Sequence, residues 1–166
     1  MPEFTITLNL SAPNPKDATS VFNLGQGFYL AGNRCLLNIE VGPAVTQCLV
    51  SPGVVNLCLA CELFLKAVIT HHGEKPPKTH KLVELFALAP PDFVSEVRSG
   101  YEASVPQPGL EELIRAINEY FVHVRYGHEF PIVAFHETPL MFLARQLYIS
   151  TASLLGVRTG LQALRP

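Results

Sequence analysis

Phe4, Ile6, Leu8 and Leu10 alternate with polar residues, the period-two pattern of a short strand or extended arm. From there the pattern changes to a helical period. Asn14-Pro15-Lys16-Asp17 reads as an N-cap, a proline at the first helical position and an acid in the first turn. This predicts a helix over 15–31, with Leu24, Phe28 and Ala31 on one face. Leu37 to Val41 alternates like a strand, Gly42-Pro43 breaks it, and Val45 to Val50 fits either state. Ser51-Pro52 repeats the cap-plus-proline signal, and Gly73 supplies a stop, predicting a helix over 52–72. That helix is apolar on nearly every side, as expected for the centre of a bundle.

Thr79 reads as the cap of a helix over 79–88, with Leu82, Leu85 and Phe86 facing inward. Pro90-Pro91-Asp92 starts another over 91–98, and residues 99–108 read as a turn-rich link. Leu110, Leu113, Ile114, Ile117, Phe121 and Val124 form the stripe of a helix over 108–126, ended by Gly127 and Pro131. Thr138-Pro139 caps a last helix over 139–155, stopped by Gly156, with a frayed tail over 157–166. The expectation is a single all-α domain over 1–166. It is an up-and-down bundle of five to six helices with a short extended N-terminal element.

Composition narrows the function classes. Hydrophobic residues make up 48% of the 166 and charged residues 16%, below the usual ~25%. Such a chain is not disordered, and its apolar surplus implies a large core, a dimer interface, or both. The net charge of −2 gives no bulk drive toward nucleic acid or an anionic membrane. The N-terminus shows no signal-peptide pattern. Val54 to Thr70 carries Asn56, Glu62 and Lys66, and is shorter than the ~20 residues of a membrane span. Cys35, Cys48, Cys58 and Cys61 sit among apolar residues and read as buried free thiols, which fits a reducing cytoplasm. Cys58-x-x-Cys61 has no second pair to complete a zinc site.

Candidate chemistry is concentrated in a few polar residues at apolar positions. Glu62 and Lys66 are spaced i,i+4 on the central helix, and Arg125 projects close to the stripe of its own helix. An inward guanidinium needs a carboxylate, so an ion-pair network of Glu62 with Arg125 is expected, with Lys66, Glu129 and His80 near it. His71 and His72 are adjacent and should diverge on a helix, and His123 and His128 are five apart, so no metal ligand set is expected. Phosphate-loop, dinucleotide and nucleophile-elbow glycine patterns are missing, and no cofactor is expected. Gly25-Gln26-Gly27 lies inside the first helix and predicts close helix packing.

Three segments resemble one family in the family's own order. Ala60-Cys61-Glu62-Leu63-Phe64-Leu65-Lys66-Ala67 is similar to the central helix of HEPN-like domains. His80-Lys81-Leu82-Val83-Glu84-Leu85-Phe86 resembles that family's His-x-Leu-x-x-Leu-Phe segment. Phe121 to Glu129 resembles the aromatic-x-x-x-Arg-Tyr-x-x-Glu ending of one branch. The resemblance covers roughly residues 50–130. It implies an α-helical bundle that commonly dimerises, with Glu62, Lys66, His80, Arg125, Tyr126 and Glu129 at matching positions.

Many members are metal-independent ribonucleases with an Arg followed, after four to six residues, by His. Here only two residues separate Arg125 from His128, and seven separate Arg115 from His123. The expectation is therefore a non-catalytic dimeric binding or scaffold module, tied to a defence or stress system. One alternative is a divergent ribonuclease, with Arg125 on the phosphate and His128 or His80 as acid/base. Another is a nucleotide-binding regulator using Lys66 and Arg125. The helix over 139–155, with Leu140, Met141, Phe142, Leu147, Tyr148 and Ile149, is the expected homodimer interface.

Overall fold

The computed structural model describes residues 17–43, 45–125 and 136–158. The expected arm at 4–10 and the cap at Asn14-Pro15 lie outside them. Six helices and one hairpin follow in order: α1 (Ala18–Cys35), β1 (Ile39–Gly42), β2 (Val45–Gln47), α2 (Val50–His71), α3 (Leu82–Leu88), α4 (Pro91–Glu102), α5 (Leu110–Arg125) and α6 (Glu137–Leu154). The architecture is an all-α bundle with a small antiparallel ribbon. α2 packs against α1, α6, α5 and α3, and α4 joins α6 to α5.

The helix ends follow from local chemistry. Asp17, not Asn14, caps α1: its Oδ1 accepts from the Thr19 N–H at 3.0 Å and its Oδ2 from the Ser20 hydroxyl at 2.6 Å. Those two hydrogen bonds, the Ser20 one first, hold the Asp17 carboxyl below its usual range. α2 ends as predicted at a left-handed glycine, Gly73 (φ +82°), where Glu74 N–H reaches Ile69 O and Gly73 N–H reaches Thr70 O. α6 ends the same way at Gly156 (φ +64°), with Val157 N–H on Ala152 O and Gly156 N–H on Ser153 O. Val157 packs on the core, so the frayed tail does not begin there.

Other boundaries shift. Ser51 and Thr138 lie inside their helices: Leu49 and His136 occupy the cap positions of α2 and α6, without side-chain capping bonds. Thr79 accepts from the Lys81 N–H at 3.2 Å, and α3 starts three residues later than expected. α4 runs on to Glu102 through the predicted link because Tyr101 is fully buried and its hydroxyl donates to Pro108 O at 2.8 Å. The uncertain stretch after α1 is a hairpin: Ile39 pairs with Gln47, Glu40 with Thr46 and Gly42 with Val45, leaving Val41 as the extra residue of a bulge.

The inward face of α1 is Phe22, Gly25, Tyr29 and Gly32, whereas Leu24 is exposed. Two aromatic residues and two glycines make this interface. A Cβ at Gly32 would come within 2.8 Å of the Leu57 side chain and 3.1 Å of its backbone nitrogen, while one at Gly27 would meet nothing within 4 Å. Of the predicted glycine pair, only Gly25 serves packing, against Phe64 and Leu63. Thermal or urea unfolding should separate these positions. Gly27→Ala should stabilise by about 0.5–1 kcal/mol by restricting the unfolded chain. Gly32→Ala should destabilise by about 1–3 kcal/mol through overpacking.

α2 is long and apolar enough to cross a membrane, yet 67% of an 18-residue apolar stretch within it is buried inside this fold, as in the core helix of a bundle. α6 is equally committed. Leu140, Leu147 and Tyr148 are buried, and Met141, Phe142 and Ile149 pack on the core from its margins. Much of its apolarity is used within the chain, against α2, α4, α1 and α5.

Candidate functional site

Glu62 lies near the middle of the most apolar helix and its side chain is only 5% exposed. A carboxylate there requires partners for both oxygens. Lys66, one turn later, donates from Nζ to Oε1 at 2.7 Å. His80, in the loop before α3, places Nδ1 3.0 Å from Oε2. The Lys66 side chain is 17% exposed, its stem along the helix and its head on the carboxylate, while the His80 side chain is 77% exposed. Glu before Lys at i,i+4 is also the orientation favoured by the helix dipole.

The cluster fastens the loop after α2 back onto α2. A second tie completes this junction: the Leu82 N–H at the start of α3 donates to Asn118 Oδ1 of α5 at 2.8 Å. The end of the loop and the start of α3 are thus held to α2 and α5. Of the six residues expected to cluster, the structure brings Glu62, Lys66 and His80 together. The Arg125 side chain, Tyr126, His128 and Glu129 lie outside the described residues, and with them the expected Glu62–Arg125 pair.

The cysteines divide into two classes. Cys58 and Cys61 are fully buried on the core side of α2. Burial pushes the Cys58 thiol up to about 12 and the Cys61 thiol well above its usual range. Cys35 and Cys48 are only partly buried, which corrects the expectation that all four are core thiols. His71 and His72 do not diverge: their rings meet edge to face with centroids 5.5 Å apart, because His72 has already left the helix. No group of three or more potential metal ligands occurs among the described residues.

A groove that sequence reasoning missed lies between α3, α4 and α5, with a volume of about 490 Å3. Val83, Phe86, Val94, Leu110 and Ile114 supply its apolar lining, and Arg98, Glu111 and Arg115 its charges. Arg98 is ion-paired with Glu111 and keeps that carboxyl below its usual range. The groove exists only once three helices meet.

Neither curated proteins nor solved structures contain a significant match to this chain. A family model for the HEPN domain, in contrast, matches residues 53–141, from the first turn of α2 to the start of α6 and more than half of the chain. With the six-helix bundle and the central α2 in place, the chain belongs to the HEPN domain family.

Proposed function

We propose that this chain is a non-catalytic HEPN helical module, acting as a homodimeric binding or scaffold unit in the cytoplasm and serving a defence or stress system. The observation that carries the reading is the state of Glu62. Both of its oxygens are occupied, by Lys66 and His80, so the polar cluster of the family segment fastens a loop to α2. Lys66, engaged and largely covered, is poorly placed to receive a nucleotide phosphate.

The described surface includes a run of exposed apolar residues. Leu37, Ile39, Val41, Leu49 and Val50 are exposed on the hairpin and the first turn of α2, with Leu37 at 61%. An isolated two-stranded ribbon is marginal in water, and a second copy covering it would remove this apolar surface from solvent. Light scattering at micromolar concentration should give twice the 18.2 kDa chain mass. Ile39→Lys with Val41→Lys should return the monomer without altering the far-ultraviolet circular dichroism. A wild-type mass of one chain sinks the homodimer.

One observation favours a divergent ribonuclease as the second reading. The largely exposed His80 imidazole is oriented through Nδ1 by a buried carboxylate, an arrangement that suits an acid/base pair. Single-stranded RNA and tRNA should remain intact over hours with purified protein. Cleavage abolished by Arg125→Ala and by His128→Ala or His80→Ala would replace the binding module with the nuclease.

A further inference from the structure

The two partly exposed cysteines, Cys35 and Cys48, meet at the base of the hairpin. Cys35 closes α1, and Cys48 lies just before α2. The Leu49 N–H donates to Cys35 O at 2.9 Å, and the Cys48 thiol lies 3.7 Å from that same carbonyl oxygen. With standard backbone dimensions this hydrogen bond limits the two Cα atoms to at most about 7.7 Å, and to less along its bent path. Bridged cysteines span roughly 4.4–6.8 Å between Cα atoms. The Cys35 Cβ also faces the start of α2, since a methyl group added at Gly53 would lie 3.4 Å from it.

We propose that Cys35 and Cys48 form a reversible disulfide that locks the hairpin between α1 and α2, made by exchange with a low-molecular-weight disulfide such as oxidised glutathione. In the first step one cysteine thiolate attacks a sulfur of the reagent. A mixed disulfide forms and one glutathione thiolate leaves. The second cysteine then attacks the protein sulfur of that mixed disulfide, the internal S–S bond forms, and a second glutathione leaves. The pair loses two electrons and two protons. The reagent gains the electrons, and the two released thiolates take up protons.

Several features select this pair. Cys58 and Cys61 are buried, and their thiols are held in the unreactive protonated form. Cys35 and Cys48 are partly exposed, and the Leu49 N–H and the Cys48 thiol both reach the Cys35 carbonyl. The residues they bracket include the hairpin's exposed Leu37, Ile39 and Val41, so the bond restrains the segment that displays them. Formation of the bond does not depend on what that segment contacts.

The test incubates the full chain in glutathione buffers of rising oxidising strength. Intact mass should fall by two hydrogens, and peptide mapping should join the Cys35 and Cys48 peptides. Maleimide labelling of the native protein should fall from both of these cysteines to neither, and dithiothreitol should restore it. The oxidised form should melt higher by about 5–10 °C, as expected for closing a loop of this size in the unfolded chain. Cys35→Ser and Cys48→Ser should each stop at a glutathione adduct on the remaining cysteine, with no gain in melting temperature. Separate glutathione adducts on both cysteines of the wild type, a link between two chains, or a link involving Cys58 or Cys61 would overturn the proposal. The wild-type peptide map decides this even if a serine variant fails to fold.

Discussion

Replacing Lys66 by methionine and His80 by alanine together should lower the unfolding free energy by about 3–5 kcal/mol, because the pair of changes strands a buried carboxylate. The asymmetry within the cluster sets this expectation. Glu62 is 5% exposed and fixed in the middle of α2, so it has no route to water. Lys66 can swing its ammonium outward, and His80 is already largely in solvent. Removing Glu62 alone should therefore cost less than removing both of its partners.

Adding Glu62→Leu to the double variant should recover much of the loss, since a leucine there meets an apolar helix environment and leaves no orphaned charge. Urea unfolding of the four proteins, followed by circular dichroism, measures the cycle. A double variant within about 1 kcal/mol of wild type would mean that water reaches Glu62, and the fastening role would fall.

Phe64→Ala should cost about 3–5 kcal/mol, the range for truncating a fully buried aromatic residue. Phe64 is 0% exposed and sits among three rings from other helices. Its centroid lies 5.5 Å from Phe22, 6.3 Å from Tyr29 and 5.7 Å from Tyr148. These contacts join α1, α2 and α6 at one point. The space left behind cannot close easily. Tyr29 and Tyr148 are stacked at 5.1 Å, and Gln26 Nε2 pins the Tyr148 hydroxyl at 2.8 Å. Phe64→Leu should cost less than half as much, because most of the volume is retained. The same urea experiment reads both variants. A Phe64→Ala loss below about 1 kcal/mol would show that α1 and α6 can collapse onto the vacated space, and the ring cluster would not be a rigid junction.

Much of the helix content was legible along the chain, and the reasons are local. α2 was visible because apolar residues surround it, and its end because Gly73 adopts a left-handed conformation that other residues avoid. α5 was visible because Leu110, Leu113, Ile114 and Ile117 recur at helical spacing, and all four are buried. The inward positions of α3 followed from the same periodicity. The Glu62–Lys66 pair was readable as an i,i+4 contact, since one helix alone defines its geometry.

Periodicity failed where a neighbouring helix, and not the residue's own hydrophobicity, decides what is buried. On α1 the large Leu24 faces out and glycines face in, because Leu57 and Phe64 of α2 occupy the space a side chain would need. α4 extends through Gly100 to a buried Tyr101 for the same reason, its hydroxyl satisfied by a carbonyl seven residues away. On α6 the apolar positions on several sides pack against α2, α4, α1 and α5 within the fold.

Taken alone, then, the sequence determined the all-α class, the central place of α2, the glycine stops and the acidic position inside the core. These depend on spacing, backbone conformation and the high cost of burying a charge, all properties of short stretches of chain. The tertiary structure alone decided that His80 closes Glu62, that three helices leave a groove lined by Arg98 and Arg115, and that Cys35 lies against Cys48. Each of these joins residues from separate elements, and their distances are set by how the helices pack, which no local pattern encodes.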